Sequence, residues 1–392
     1  MFWSQTPAPP RNRPALAITL AASVVIFSIV YVANRDCIEL VVASSQEKSG
    51  LLKDIAADYE QTDPRVDRRC IDVTVNEMKS GDAESALAND WAGRDEAPPH
   101  VWSPAATSWV QLLEQHRTEK GLKDIVPVAP PSLMLSPLVL ATLEPMAEVL
   151  RQTRIGWTDI IDFVQDRNFW ARYGKDWGPF LLGNTRPTTS TSGLHALIAL
   201  DYSVKNAPPQ PGDVNREDVR TVLCNLYSRV IHETDSAGEF LTNWYAADQQ
   251  GTAMKYASAI AVEEKQVFEY NRGNPASLYP PPTRPEPNVR LWAIYPKEGL
   301  PVANHPYVVL NASWVGPAEQ AAASDFFSYL ESTPVQRRFR SAGFRDHLSA
   351  AGPEIAPPRF QTHFERALES PGGEALAELQ RSRSELRVCA GT

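Results

Sequence analysis

The sequence has no stripe of lysine and arginine. Of its 392 residues 38 are basic and 47 acidic, giving a net charge of -9. An acidic chain without a basic face does not attract a polyphosphate, which excludes nucleic acid as a partner. Cysteine is scarce, with four residues and none at zinc-ligand spacing. The seven histidines include no HExxH and no paired spacing; His195, His232 and His305 are scattered, so a zinc site is not expected. TSTSG (189–193) is not the GxSxG elbow of hydrolases, and no nucleophile is paired with a base. The adjacent Glu263 and Glu264 read as a helix start rather than a carboxylate dyad. These absences point away from an enzyme, and no cofactor or metal is expected. Low-complexity sequence is also absent, and 43% hydrophobic residues suit one large or two medium globular units.

What is present begins with an apolar run. Pro14 to Ala33 contains 20 residues without a charge, long enough to cross a hydrocarbon core of about 30 Å. Arg11 and Arg13 precede it while Asp36 and Glu39 follow, which sets residues 1–13 in the cytoplasm and the rest outside. A cleaved signal peptide is the competing reading, but the run is long for one and lacks A-x-A spacing before Asn34. An uncleaved membrane anchor is therefore expected. Thirty-three prolines gather at 98–104, 127–137, 207–211, 275–287 and 353–358, marking loops and linkers.

From Ile38 onward strand and helix patterns alternate: IELVVAS, KSGLLKDIAADYEQ, IDVTVNEM, DAESALANDW, HVWS, AATSWVQLLEQH. That order implies βαβ units and a parallel sheet. Near-continuous apolar strands fit a sheet covered on both faces. Cys37 and Cys70 open two near-identical strands, CIELVVAS and CIDVTVNE. Parallel neighbours in register would place their first residues about 5 Å apart, which is disulfide distance. Cys224 and Cys389 form a second, less supported pair. SPLVLATLEP (136–145) breaks the rhythm and reads as a segment crossing to a second lobe, with ASAIAVEEKQVFEYN (257–271) as the return crossing. Helices are expected at 215–231, 235–248, 317–332 and 334–341.

The second lobe contains FLLGNTRPTTSTSGL (180–194), in which a short strand runs into six hydroxyl residues and then a helix. Such a helix start offers free N–H groups and a positive dipole end to a ligand, with Arg186 beside it. A simple N-cap at Thr191 or Ser192 is the plainer alternative. In open parallel sheets ligands bind beyond the carboxyl ends of the strands, where Ser44, Ser45, Glu47, Lys48 and Ser103 stand in the first lobe. Both lobes thus present hydroxyls to a shared cleft suited to a small polar solute. Trp102, Trp109, Trp177, Trp244, Trp292 and Trp314 are candidates for a stacking platform, though tryptophan is more often core. Asn311-Ala-Ser forms a glycosylation sequon.

VVASSQEKSGLLKDIAADYE, PHVWSPAATSWVQLL, RPTTSTSGLHAL, AIYPKEGLPVANHPYVVL and AAASDFFSYLESTPVQRRFRSAGFR resemble the bacterial extracellular solute-binding proteins of the type II periplasmic-binding-protein fold. The resemblance is nearest to those often followed by a von Willebrand factor A domain. It implies two α/β lobes with mixed, mostly parallel sheets, joined by two crossing segments and closing on a solute. It places ligand contacts at Ser44, Ser45, Lys48, Ser103, Thr191, Ser192 and Gly193, to which the helix-start argument adds Arg186 and Ser190. Tyr295 to Gly299 match a signature loop that shapes the cleft or hinge. No DxSxS motif is present, so the metal-dependent adhesion of such fusions does not carry over.

The expected organisation is an anchor (14–33) followed by a two-lobed domain over 36–350. Lobe 1 covers about 36–136 and 272–350, and lobe 2 about 137–271; a Pro-rich linker and helical tail fill 351–392. The expected function is capture of a small polar solute outside the membrane for transport or sensing, with an ABC permease or another surface protein as partner. The alternative is a surface scaffold with a degenerate pocket, binding another protein through its tail.

Overall fold

A computed structural model describes Met1 and residues 36–386, positions 153 and 228 excepted. The apolar segment at 14–33 and Cys389 lie outside the described residues. Among those described, no helix is long and apolar enough to cross a membrane.

The first lobe is built from β1 (Cys37–Ser44), α1 (Gln46–Glu60), β2 (Arg65–Val66), β3 (Arg69–Glu77), α2 (Ser80–Leu87), β4 (Val101–Ser103) and α3 (Thr107–Glu119). β1 runs parallel to both β3 and β4 at the sheet centre. Its residues Leu40 to Ser44 are all buried, as expected for a strand covered on both faces. The register pairs Cys37 with Cys70. Their Cα atoms are 4.3 Å apart and the disulfide is formed.

β5 (Met134–Leu143) carries the chain into the second lobe. There follow α4 (Glu144–Leu150), α5 (Trp157–Gln165), β6 (Leu182–Thr185), α6 (Thr191–Lys205), α7 (Glu217–Tyr227), β7 (Val230–Thr234), α8 (Ala237–Gln249), α9 (Ala253–Tyr256), β8 (Ala259–Glu263), α10 (Glu264–Asn271) and β9 (Leu291–Ile294). β6 lies parallel to β7 and β8, whereas β5 is antiparallel to β8 and β9. The chain then returns through β10 (Val302–Ala303), β11 (Val308–Val309), α11 (Pro317–Leu330), α12 (Thr333–Ser341) and β12 (Arg345–Asp346), and ends in α13 (Gly373–Leu386).

The sequence expectations fail at four places. The helix expected over 215–231 stops at Tyr227, and 230–234 is a strand pairing with β6. Residues 272–294 were assigned to lobe 1, yet β9 pairs with β5 from Leu143↔Leu291 to Leu140↔Ile294 in the second sheet. A third connection between lobes therefore runs through 295–301. The segment expected as a Pro-rich linker packs on the domain, since Ile355, Phe360 and Leu368 join the second lobe's core. Leu376, Ala377 and Leu379 of α13 join a cluster with Trp109 and Leu113 of α3 and Leu194 and Ile198 of α6. That cluster joins the two lobes beside the cleft between them.

Candidate functional site

Several helix N-termini converge on this cleft, a cavity of about 290 Å³. The first lobe contributes Ser45, Gln46 and Glu47 at the start of α1, with Lys79 and Ser80 at the start of α2. The second contributes Thr189 to Ser192 leading into α6 and Ser236 to Glu239 leading into α8. Lys53, Glu77 and Tyr279 complete much of the wall. The caps of α1, α2 and α6 receive no side-chain hydrogen bond from their N-cap residues, so first-turn N–H groups remain for a ligand. At α8 the cap is closed: the Glu239 N–H donates to Ser236 Oγ at 3.2 Å.

The lobes approach closely where α2 meets the hydroxyl loop. A Cβ on Gly81 would lie 2.0 Å from the Thr188 carbonyl oxygen, so only glycine allows this closure. Trp109 Nε1 donates across the lobes to Thr191 Oγ1 at 2.8 Å.

Of the foreseen contact residues, Ser45, Ser190, Thr191 and Ser192 line the cavity together. Ser44, Lys48, Ser103, Arg186 and Gly193 do not line it, for separate reasons. Ser44 is spent on the strand end, its carbonyl accepting from Met78 N–H and Ser49 Oγ, both at 2.9 Å. Lys48 is a buried strut, its ammonium donating to Ser45 Oγ, to Ser103 O at 2.8 Å and to Pro104 O at 3.1 Å. Burial lowers its pKa to about 8, against the opposing pull of Glu47. Ser103 Oγ donates to Pro306 O at 2.9 Å. Arg186 pairs with Asp235 at 2.9 Å, while its carbonyl accepts the N–H groups of Thr189 and Ser190 and so shapes the hydroxyl loop. Gly193 is a packing glycine, since a Cβ there would sit 2.1 Å from Thr185 O.

None of the six tryptophans named above lines the cavity; Trp102, Trp109 and Trp244 are core. The Tyr295–Gly299 loop serves the junction instead: Glu298 Oε2 accepts from Trp157 N–H and Gly299 O from Trp157 Nε1, both at 2.9 Å.

The helix expected at 235–248 is present, but sequence reasoning missed that its start, Ser236-Ala-Gly-Glu239 with capping-box spacing, lines the cleft. It also missed the floor of the cleft, where Glu47 and Glu263 flank His305. Nδ1 of His305 lies 3.5 Å from Glu47 Oε1, and Nε2 lies 3.4 Å from Glu263 Oε2. Burial raises the Glu263 carboxyl to about 7 and drives the His305 imidazole well below its ordinary range. Next to this cluster Glu264 receives Arg345 through two 2.8 Å hydrogen bonds.

The fold is shared with solved solute-binding proteins. The substrate-binding protein of an Agrobacterium tumefaciens ABC transporter aligns over 91% of this chain and 95% of its own, with 12% identity and a TM-score of 0.52. The spermidine/putrescine ABC-transporter substrate-binding protein of Streptococcus pneumoniae aligns over 90% and 99%, with 10% identity and a TM-score of 0.53. The sugar-binding protein MalE of Xanthomonas citri gives 90%, 92%, 14% and 0.52 in the same order. An uncharacterized protein of Mycobacterium tuberculosis, matched in two strains, is 23% identical over 310 residues. The match covers 78% of this chain and 42% of that relative, so the chain spans less than half its length. Residues 40–345 match the family of bacterial extracellular solute-binding proteins, and the chain belongs to that family.

Proposed function

We propose that this chain captures a small polar solute in the interlobe cleft, on the outer side of a membrane to which the segment at 14–33 tethers it. The solute then passes to an ABC permease or is sensed in place. One observation carries the reading: a single cavity is lined by hydroxyls and uncapped helix starts from both lobes. A solute that touches both walls favours the closed arrangement by its differential contacts, which is how closure is driven. Glu47, Glu77, Glu239 and Glu263 share the wall with Lys53 and Lys79, a mixture suited to a hydroxylated or zwitterionic solute. The structural neighbours named for spermidine/putrescine and for sugar support the same size class of cargo. The scaffold alternative needs a tail free to hold a partner, whereas Leu376 and Leu379 are buried against the lobes.

The test is thermal denaturation of the purified full chain against oxyanions, sugars, amino acids and polyamines. A true solute raises the midpoint by mass action. Ser192→Ala then weakens capture about tenfold, the loss of one hydrogen bond of ~1.5 kcal/mol to a charged or strongly polar group. Stabilisation by no compound in the panel would argue for the scaffold.

A further inference from the structure

The floor of the cleft brings two of the wall carboxylates together with a buried histidine. Glu47 stands in the first turn of α1, Glu263 at the last position of β8, and His305 in the loop before β11. One ligand atom from each lies within 4.8 Å of the other two. His305 is fully buried, and neither ring nitrogen has a hydrogen-bond partner; Glu263 Oε2, also buried, has none either. A buried polar atom without a partner is costly, so a buried histidine and a buried carboxylate left open side by side call for an occupant that one ring nitrogen and the carboxylate can share. We propose that Glu47, Glu263 and His305 bind one divalent first-row metal ion at the cleft floor.

Metal–ligand bonds of about 2.0–2.2 Å at a tetrahedral centre separate neighbouring donors by about 3.4 Å. His305 Nε2 lies 3.4 Å from Glu263 Oε2, whereas Glu47 Oε1 lies 3.5 Å from the other ring nitrogen, so an ion held by Nε2 and Glu263 is joined by Glu47 only when that side chain turns toward it. One imidazole and two carboxylates suit Zn²⁺ or Mn²⁺ better than Mg²⁺ or Ca²⁺, which prefer an all-oxygen shell.

Two ammonium groups stand beside these carboxylates, each with hydrogen-bond partners of its own. Lys48 donates to Ser45 Oγ, Ser103 O and Pro104 O and stays 3.9 Å from Glu47 Oε1. Lys265 donates to the Glu47 carbonyl at 2.9 Å and faces Glu269 at 3.9 Å. Supporting contacts orient the donors, as metal sites require. Ser45 Oγ donates to Glu47 Oε1, and the Phe344 ring meets the His305 ring edge-on at 5.1 Å. An entry path exists because Glu47 and Glu263 both line the cleft. The open coordination position therefore faces the same cavity as the α6 and α8 helix starts. The site stands whatever the solute proves to be.

The experiment is titration of the chelator-stripped full chain with Zn²⁺ and with Mn²⁺, followed by calorimetry and equilibrium dialysis without added solute. One ion per chain is expected. His305→Gln and Glu263→Gln should each weaken binding at least tenfold, while Glu148→Gln on the exposed side of α4 leaves it unchanged. Should either variant fail to fold, Co²⁺ added to the unaltered chain gives a second readout. Tetrahedral visible absorption and a paramagnetically shifted imidazole proton support the site. No stoichiometric uptake, uptake indifferent to both substitutions, or bound Co²⁺ without an imidazole signature would overturn it. Solute capture is measured separately with and without metal, so either result can fail alone.

Discussion

Arg345 and Glu264 form an ion pair with side chains 0% and 1% exposed. The guanidinium also donates to the carbonyls of Thr362 and Gln361, both at 2.7 Å, so it ties the tail to the start of α10. Removing one member of a buried pair strands the other charge, a loss of about 3–5 kcal/mol. Arg345→Met should show that loss in urea denaturation, and Arg345→Met with Glu264→Leu should recover most of it. A single variant within 1 kcal/mol of wild type would mean that the pair is idle. His116 supplies a pH-dependent term. Its Nδ1 lies 2.9 Å from Glu84 Oε1, and that hydrogen bond raises the imidazole pKa above its ordinary value. The stabilisation is complete below about 6.5, the unfolded value, and fades as pH rises through the folded one. Stability curves of wild type and His116→Gln should therefore diverge in acid and converge in alkali; divergence in alkali instead would refute the assignment. Buried charges of this kind are hidden in a sequence. Lys48, Glu263, His305 and Arg345 look like surface residues until partners many tens of positions away enclose them.

At the scale of elements, the contact between α2 and the hydroxyl loop rests on one missing methyl group. Gly81→Ala puts a Cβ against the Thr188 carbonyl, an overpacking penalty of about 1–3 kcal/mol. Much of that strain is relieved by parting the lobes. Small-angle scattering should report a larger radius of gyration for the variant, with weaker solute capture; an unchanged radius would place the lobes' contact elsewhere. β1 was readable as an apolar run on a doubly covered sheet and β3 as an alternation of apolar and polar residues, and the cysteines marked their register. β7 was not readable: VIHET is only partly buried at the sheet edge and continues a helical pattern. The hydroxyl loop was recognisable as a helix start, but Arg186 and Gly193 serve to build that loop rather than line the cavity.

Across the whole molecule, the order of strands and helices sufficed to read two lobes and a cleft, because connection rules constrain how such units assemble. It did not suffice for the tail, whose few apolar residues find their sites only when both lobes are present. Ser370 Oγ donates to Gln111 Oε1 in the first lobe, and Gln380 Nε2 donates to Pro187 O in the second, at 2.7 and 2.8 Å. Truncation before residue 370 uncovers the sites of Leu376 and Leu379, a loss of roughly 3–6 kcal/mol for two leucines. The melting midpoint should fall by several degrees, and unchanged melting would show that the strap is ornamental.

The central claim is that one solute is held by both lobes at once. Calorimetric titration of the stabilising compound into Gln46→Ala, from the first lobe, and Ser192→Ala, from the second, tests it most directly. Each substitution alone should weaken binding about tenfold, near 1.4 kcal/mol, with folding intact. Binding that depends on one wall and ignores the other would contradict a shared cleft.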